Sequence, residues 1–239
     1  MAPEEIYVLN KKIRLLQPAD GFRTCLDSVM LAAACPAQGG DHVLDLGTGV
    51  GGAGLCVLFR VPDVKLTGIE IQPDHVDLAI QNAAQNNMAA RAEFICADIC
   101  DFKNGQFDHV IANPPYMEAG THLASPSDKK ARAHNHDDTT LTDWIDAAFR
   151  NLKSGGSFTI IHRADQTDKI ILGFGKRFGE IEIIPLWPKT GVAAKRVIIR
   201  ALKDRRSPAM LHPGLVLHRE NGDYTDEAEA ILRHIAPIK

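Results

Sequence analysis

Long apolar segments are missing from this sequence: no apolar run approaches the roughly 20 residues that cross a bilayer. The opening residues, Met1 to Glu5, also lack the basic and then apolar pattern of a secretory signal peptide. The five cysteines are odd in number and form no Cys-x-x-Cys pair, which argues against a disulfide framework. These absences disfavour membrane-spanning and secreted classes and predict a globular protein of the cytoplasm.

Acidic and basic residues are distributed unevenly along the chain. Residues 1–119 carry 8 Lys/Arg against 15 Asp/Glu, a net charge of −7, whereas residues 120–239 carry 19 against 15, a net charge of +4. The stretch 189–206 contains one acid and seven bases: Lys189, Lys195, Arg196, Arg200, Lys203, Arg205 and Arg206. Such an excess permits a polyanionic partner, but it is also typical of a solvated surface strand and loop.

The most informative stretch is Asn113-Pro114-Pro115-Tyr116, which follows an apolar run, 107–112, typical of a buried strand. The two prolines donate no backbone N–H and fix φ, so the strand must end there. Proline also biases the preceding Asn113 toward an extended conformation. The pattern predicts a stiff corner at the carboxyl end of a strand.

This corner has the groups needed to hold a planar amine. The Asn113 side-chain oxygen and the Pro114 carbonyl can accept both protons of one –NH2 group, which directs its nitrogen lone pair at an electrophile. Tyr116 can stack on the flat face of the same group, as happens when a base is taken out of its own stack. Asn-Pro and Pro-Pro are also ordinary turn dipeptides, so a purely structural turn is the alternative.

A second pattern is a short strand, 43–46, followed by the glycine-rich segment 47–52 and a helix predicted from about 53 to 60. Glycines in such a unit let a ligand approach the backbone, and the helix N–H groups face it. The next strand, 65–70, ends in Glu70, whose carboxylate can accept the hydroxyl groups of a ribose. The competing interpretation is that Glu70 is a charge at a helix N-terminus. It is disfavoured because Glu70 precedes Ile71-Gln72-Pro73 and does not lie within a helical turn.

A third strand, 92–96, is followed by Asp98 and Ile99, which can take the amino group and one ring face of an adenine. Parallel strands bring their carboxyl ends to one edge of a sheet, where ligands bind near the topological switch. Asp45 lies near the end of the first strand, where its charge would repel a pyrophosphate but suits an ammonium or sulfonium cation. The three strand ends therefore favour S-adenosylmethionine over NAD.

Residues 45–51, Glu70 and Asp98 resemble the successive cofactor motifs of the Rossmann-like S-adenosylmethionine methyltransferases, and 113–116 resemble the catalytic motif of their amino-methylating branch. The resemblance implies a class I α/β fold: a seven-stranded, mostly parallel sheet with helices on both faces and an antiparallel final strand. The cofactor-binding residues it implies are Asp45, Gly47, Thr48, Gly49, Gly51, Glu70, Ile71, Asp98, Ile99 and Asn113. The catalytic residues it implies are Asn113, Pro114, Pro115 and Tyr116.

The two ends of the chain narrow this resemblance. Residues 21–32 (GFRTCLDSVMLA) and the segments 215–220 and 224–232 are similar to the tRNA(Val) adenine-N6 methyltransferase family, which modifies the adenine beside the anticodon. The resemblance implies a tRNA partner, no membrane partner and methylation of adenine N6. Glutamine methylation of release factors and guanine-N2 methylation of rRNA are the rival enzyme functions, and an RNA-binding module on this fold is the non-enzymatic one.

A polar stretch, 117–138, separates the corner from the next predicted helix and is long enough to be functional. Candidate RNA-phosphate contacts lie there and in the later basic stretch: Lys129, Lys130, Arg132, Lys195, Arg196 and Arg200. His134, His136, Asp137 and Asp138 resemble a metal cluster. No further ligand pair with suitable spacing accompanies them in the sequence, so no metal site is predicted.

The remaining patterns predict one domain over 1–239 with short extensions at 1–40 and 207–239. A hairpin or strand is expected within 6–18. Helices are expected over 22–35, 74–87 (capped by Asp74), 166–178 and 226–235. Another is expected to start at Thr140 or Thr142 and to run through Leu152, ended by Gly155-Gly156. Further strands are expected at 157–162 and 215–217, with a terminal antiparallel pair formed by 181–186 and 196–202.

Overall fold

A central β-sheet organises the residues that this computed structural model describes, which are 2–19, 26–116 and 139–238. The strands are, in chain order, β1 (Glu4–Val8), β2 (Ile13–Gln17), β3 (His42–Leu46), β4 (Lys65–Glu70), β5 (Ala92–Cys96), β6 (Phe107–Ala112), β7 (Leu152–Arg163), β8 (Phe178–Trp187), β9 (Arg196–Lys203), β10 (Met210–Leu211) and β11 (Leu215–Val216). The helices are α1 (Leu26–Ala34), α2 (Gly52–Arg60), α3 (Pro73–Gln85), α4 (Leu141–Asn151), α5 (Thr167–Phe174) and α6 (Asp226–His234).

The sheet has the order β10–β8–β9–β7–β6–β3–β4–β5, and β11 also pairs with β8. The five strands from β5 to β7 in this order run parallel, whereas β9 runs antiparallel to both β7 and β8. Apart from the two-residue strands β10 and β11, the sheet therefore has seven strands with the last one, β9, reversed. This arrangement confirms the predicted fold class and the predicted antiparallel pair.

Helices cover both faces of the sheet, as the buried residues of β6 show. Ile111 packs in a core that includes Leu55 of α2, whereas Val110 packs in a core on the opposite face with Trp144 and Ile145 of α4. Successive side chains of a strand point to opposite faces. A strand covered on both sides is therefore apolar at consecutive positions, which accounts for the apolar run that ends β6.

The register of the parallel strands brings their carboxyl ends to one edge. Leu46, the last residue of β3, pairs with Ile69 of β4 and Ala112 of β6. Glu70 of β4 pairs with Cys96 of β5, and β7 continues the row on the far side of β6. The segments that follow β3, β4, β5 and β6 consequently lie next to one another.

The start of α3 differs from the prediction. The helix begins at Pro73, and Gln72 is the extended N-cap residue without a side-chain cap bond. Proline suits the first helical position because its fixed φ is helical and its missing N–H has no partner there in any case. The prediction that Asp74 caps this helix is therefore wrong.

The end of α4 also differs from the prediction. The helix begins after Thr140, one of the two predicted starts, and Thr140 forms a capping box with Asp143. It ends at Asn151, however, and Gly155-Gly156 lie inside β7. A Cβ at the second of these glycines would come within 2.8 Å of a carbonyl oxygen of β6. The predicted role of the glycine pair as a helix end is wrong, because both glycines lie in β7 and Gly156 allows β7 to approach β6.

Helix α2 matches its prediction to within one residue, whereas α5 and α6 are shorter than predicted. Helix α5 ends at Phe174, where Gly175 takes a φ of +54° and leads into β8. Helix α6 ends one residue earlier than predicted. The first residues of the helix predicted over 22–35 lie outside the described residues, and α1 is seen from Leu26 to Ala34.

Both terminal segments contact the helices of the sheet. Strands β1 and β2 form the predicted hairpin, and the fully buried Asn82 of α3 accepts the Leu16 N–H at 2.7 Å and donates to the carbonyls of Leu16 and Val50 at 2.9 Å. The N–H of Ile238 donates to the Ala33 carbonyl of α1 at 3.0 Å. Among the described residues, no helix combines the length and apolar character needed to cross a bilayer.

Candidate active site at the carboxyl edge of the sheet

The turn between β3 and α2 has three glycines with positive φ: 62° at Gly47, 55° at Gly49 and 87° at Gly51. This left-handed region is accessible to glycine at little cost. At Gly47 space is a second constraint, because a Cβ there would lie 2.3 Å from the ring of Trp144 on α4. The turn is also tied to β4, where a backbone carbonyl accepts the Thr48 N–H at 2.9 Å. We call residues 47–51 the glycine turn.

Asp45 lies buried beneath the glycine turn, with 2% of its surface exposed. Its Oδ2 accepts the Thr48 hydroxyl at 2.7 Å and the Gly54 N–H at 3.1 Å. Burial raises the pKa of this carboxyl to about 7, although the two hydrogen bonds lower it, and the charge of Glu70 adds to the increase. A cation beside Asp45 would favour its ionised form, so this carboxyl suits a positively charged ligand group.

Glu70 is buried at the end of β4 and uses both carboxylate oxygens. Oε2 accepts the Gly49 N–H, and Oε1 accepts the N–H groups of Ile71 and Gln72, each at 3.0 Å. The side chain thus joins the glycine turn to the segment that enters α3, so the competing helix-terminus interpretation describes part of its role. A carboxylate has about four lone-pair sites, which leaves one for a ligand hydroxyl.

Asp98 lies beside the end of β4, since the backbone N–H of Ala97 donates to the last carbonyl of that strand at 3.0 Å. Its Oδ1 accepts the Cys100 N–H at 2.8 Å in a local turn. The next residue, Ile99, is buried, whereas Ile71 exposes 37% of its surface. An exposed isoleucine near a half-buried carboxylate offers apolar surface and an acceptor, which are the features that an aminated ring requires.

Residues 113–116, which we call the amine corner, follow β6 directly and lie next to the glycine turn that follows β3. Pro114 is buried, Pro115 is exposed and Asn113 is half-buried. The Tyr116 hydroxyl lies 2.6 Å from Oδ2 of Asp27 and 3.0 Å from Oδ1 of Asn113. The fold thus brings the predicted cofactor-binding and catalytic residues to one edge of the sheet.

Three side chains that surround Tyr116 were not predicted to do so. Asp27 of α1 is buried, and its Oδ2 also accepts the Arg196 Nε–H at 3.0 Å. The Arg196 guanidinium lies 4.5 Å from the centroid of the Tyr116 ring. His162, near the end of β7, makes an edge contact with the same ring at 5.1 Å between centroids. Burial lowers the pKa of His162 to about 4, so the imidazole is neutral at pH 7.

Few sequence signals point to Asp27, His162 and Trp144, which were not predicted to belong to the site. Asp27 falls within the segment 21–32 that carried the subfamily resemblance, but the residue types alone assign it no chemistry. His162 ends a predicted strand at the correct edge, which is a usable signal. Trp144 occupies an apolar position of α4 and has no local pattern that points to the glycine turn.

The basic residues predicted to contact RNA differ in their surroundings. Arg200 lies within β9, where it forms an ion pair with Glu182 and donates to the Ala34 carbonyl at 3.0 Å. Its side chain is 15% exposed, so the geometry favours a structural role over a phosphate contact. Arg196 belongs to the cluster around Tyr116, and Lys195 is exposed. Lys129, Lys130 and Arg132 lie outside the described residues.

The predicted polar stretch 117–138 lies outside the described residues, and with it His134, His136, Asp137 and Asp138. In the ranges that the structure describes, no group of three or more His, Cys, Asp or Glu side chains is placed to hold a metal ion.

Comparison with known proteins decides the family. The sequence matches the family described as the methyltransferase small domain over residues 26–186, which is more than half of the chain. The chain belongs to this family. The match runs from α1 into β8 and includes every strand end described above, and it confirms the predicted methyltransferase family.

Curated relatives of this methyltransferase fall into two groups by name. The tRNA1(Val) (adenine(37)-N6)-methyltransferase of Bacteroides thetaiotaomicron is 30% identical over 60% of this chain and 61% of its own length. The protein of the same name from Glaesserella parasuis is 27% identical over 83% of both chains. The release factor glutamine methyltransferase of Agrobacterium fabrum is 31% identical over 54% of this chain and 44% of its own. Two of these three matches, including the first, thus span less than two thirds of the relative.

Solved structures support the fold. A predicted O-methyltransferase from Agrobacterium tumefaciens superimposes with a TM-score of 0.74 at 24% identity and covers 89% of this chain and 98% of that one. An S-adenosylmethionine-dependent O-methyltransferase from Thermotoga maritima gives a TM-score of 0.58 at 19% identity over 78% and 68%. The chain therefore has the Rossmann-like fold of S-adenosylmethionine-dependent methyltransferases.

Proposed function

We propose that this protein transfers a methyl group from S-adenosylmethionine to an exocyclic amine, and that the amine is N6 of an adenine beside the anticodon of a tRNA. The observation that carries the proposal is the position of the amine corner directly beside the glycine turn on one sheet edge. The turn suits the cofactor, and the corner suits a planar –NH2 group. The relatives named tRNA1(Val) (adenine(37)-N6)-methyltransferase support the choice of substrate.

The polar groups of the edge fit S-adenosylmethionine. When bound, this cofactor supplies an electrophilic methyl group on a sulfonium. We assign Asp45 to its positively charged methionine end, because the carboxyl is buried and its pKa of about 7 would fall beside a cation. Glu70 is assigned to the ribose through its remaining acceptor site. The other residues assigned to the cofactor are Gly47, Thr48, Gly49 and Gly51 for the backbone of the turn, Ile71, Asp98 and Ile99 for the adenine, and Asn113 at the border with the substrate.

The amine corner is assigned to the substrate. The Asn113 side-chain oxygen and the Pro114 carbonyl accept the two protons of the amine, so the nitrogen lone pair faces the methyl donor. Pro115 keeps the segment stiff. Most of the rate enhancement then comes from positioning a nucleophile beside a reactive methyl group. A strong base is not required before the attack, because the nitrogen loses its proton after it has become cationic.

The ring of Tyr116 is assigned as the flat surface for the base. Arg196 and His162 hold the ring in place through the contacts described above. Removing an adenine from a loop into such a site costs a few kcal/mol at most, and stacking on an aromatic ring offsets part of that cost. The exposed Lys195 lies next to this cluster in the sequence and is assigned to a phosphate contact.

Glutamine methylation of release factors is the second candidate function. A glutamine side-chain amide is also a planar –NH2, so the same corner could hold it, and one curated relative carries that name. The smaller share of both chains covered by that match favours the tRNA substrate.

A methyl-transfer assay tests the proposal. Labelled S-adenosylmethionine is incubated with the protein and bulk tRNA that lacks its native methylation, and the nucleosides are then analysed. We expect N6-methyladenosine from the wild type and none from Asn113→Ala. Methylated guanosine would move the substrate assignment to guanine N2, label on a release factor instead of RNA would support the glutamine function, and RNA binding without transfer would leave an RNA-binding module.

A further inference from the structure

The hydrogen-bond donors and acceptors around the Asn113 side chain are mismatched. The Tyr116 hydroxyl faces two acceptors, Oδ2 of Asp27 at 2.6 Å and Oδ1 of Asn113 at 3.0 Å. A hydroxyl has a single proton to donate. On its other side, the Asn113 Nδ2 is buried and has no hydrogen-bond partner among the described residues. The amide therefore faces a hydroxyl that cannot serve both acceptors, while its own two donors are unused.

Distance and charge decide where the hydroxyl proton goes. An O–H donated to a carboxylate is shorter and stronger than one donated to a neutral amide, and the Tyr116–Asp27 contact is the shorter of the two. The proton therefore lies toward Asp27. Toward Asn113, the Tyr116 oxygen can act as an acceptor but not as a donor. The group of Asn113 that faces Tyr116 must then be the NH2.

Rotating the Asn113 amide by half a turn satisfies this requirement. The oxygen and nitrogen of a carboxamide occupy nearly equivalent positions, so the rotation places Nδ2 about 3.0 Å from the Tyr116 oxygen as a donor. It also moves Oδ1 to the buried position that lacks a partner. A carboxamide oxygen there is the acceptor that the methylation of an –NH2 group needs, whereas an NH2 there would oppose the substrate donors.

We propose that Asp27 is a positioning residue that acts through the Tyr116 hydroxyl to hold the Asn113 oxygen toward the substrate amine. This inference rests on the proposed N-methylation. Asp27 is itself held by Arg196, whose Nε donates to the same Oδ2 at 3.0 Å and whose guanidinium packs on the Tyr116 ring. Without the chain Asp27–Tyr116–Asn113, the amide is free to adopt both orientations, and one of them is inactive.

Kinetics of three variants test the hydrogen-bonded series Asp27–Tyr116–Asn113. Asp27→Ala and Tyr116→Phe are each expected to lower kcat by roughly tenfold to a hundredfold, the range expected for loss of one or two oriented hydrogen bonds. The dissociation constant for S-adenosylmethionine should stay within about twofold. Asp27→Asn should retain more activity than Asp27→Ala, because its amide oxygen can still accept from Tyr116 and Arg196. Asp165→Asn, which alters an exposed carboxyl near the same edge, is the control and should leave kcat unchanged.

A double-variant cycle separates positioning from general damage. Asp27→Ala combined with Tyr116→Phe should be no slower than the slower single variant, because both act through one amide and their effects are then not additive. Additive losses, or an Asp27→Ala enzyme with normal kcat, would overturn the proposal. If Asp27→Ala does not fold because Arg196 loses its partner, Tyr116→Phe alone decides, and a normal kcat in that variant would overturn the proposal.

Neutron diffraction on the deuterated wild-type protein tests the orientation without any activity. We expect a deuteron of Tyr116 on the line to Asp27 and the two deuterons of Asn113 on the side of Tyr116. A Tyr116 deuteron directed at Asn113 would overturn the inference. If the wild type methylates no amine, the proposed function fails, and the deuteron positions still decide the orientation.

Discussion

The glycine turn and the amine corner share one edge of the sheet but differ in how fully their polar groups are paired. Asp45 accepts two hydrogen bonds within the protein, and Glu70 accepts three. At the corner, by contrast, Asn113 Nδ2 and His162 Nδ1 are buried without a partner among the described residues. Buried polar groups are nearly always hydrogen-bonded. Under the proposed function, the substrate amine is the missing partner at the buried Asn113 position.

The difference in pairing indicates that the glycine turn and the amine corner have different tasks. The glycine turn is held in one conformation by its own hydrogen bonds and by Trp144, so a ligand meets a surface that is already formed. The amine corner keeps one buried amide position of Asn113 that no described residue pairs with, and the proposed function assigns the substrate amine to it. Substitutions on the turn should therefore change stability and cofactor affinity, whereas those at the corner should change the rate of transfer.

The largest expected effect is at the corner. Asn113→Ala removes the acceptor for the amine and should reduce methyl transfer by about a thousandfold or more, equivalent to roughly 4 kcal/mol of lost transition-state stabilisation. Cofactor affinity, measured by calorimetry, should change by less than about twofold. Asn221→Ala, at an exposed turn, is the matched control. A comparable loss of cofactor affinity in Asn113→Ala would show that the two regions are not separate.

The next effect concerns the turn itself. Gly47→Ala should lower the free energy of unfolding by about 2–4 kcal/mol, because it combines strain at a φ of 62° with a clash against Trp144. Gly49→Ala has a similar φ of 55° but no atom within 4 Å of the added Cβ. It should cost only about 1–2 kcal/mol. Equal losses in the free energy of unfolding, measured by urea titration of the two variants, would exclude crowding by Trp144 as a cause of the loss in Gly47→Ala.

A smaller effect is expected at the ribose side. Glu70→Ala removes the acceptor for three backbone N–H groups and for the proposed ribose contact. Cofactor affinity should fall about tenfold, since one charged hydrogen bond is worth about 1.5 kcal/mol or more. Glu93→Ala, on the exposed face of β5, controls for the loss of a carboxylate. Unchanged affinity would remove Glu70 from the ligand site and leave it as a structural link alone.

The smallest effect is a pH dependence at Asp45. Its pKa is raised to about 7, so the carboxyl is about one-tenth ionised at pH 6 and about half ionised at pH 7. A cationic ligand binds the ionised form, and its affinity should therefore rise about fivefold between these pH values. Calorimetric titration of S-adenosylmethionine at pH 6 and pH 7 measures this rise. Asp45→Asn should abolish the increase, and an increase that persists in the variant would assign it to another group.

Much of the edge could be predicted because its signals are local. A proline pair ends β6, and glycines with positive φ follow β3, so both corners are visible within a few residues of sequence. The start of α3 and the end of α4 were harder to predict. Pro73 can start a helix where Asp74 is the more familiar cap. Gly155-Gly156 resembles a helix end until the approach of β7 to β6 is known. In each case the sequence pattern permits two local structures, and packing selects one.

The sequence by itself determined where the strands β3, β4, β5 and β6 end and which polar groups follow them, because periodicity and turn residues act over short distances. Only the tertiary structure decided what surrounds Tyr116. Asp27 reaches its hydroxyl from 89 residues away, and Arg196 reaches Asp27 from 169 residues away. Those contacts exist because α1 and β9 pack beside β6 and β7 in the folded sheet. The orientation of the Asn113 amide, which the proposed chemistry requires, depends on them.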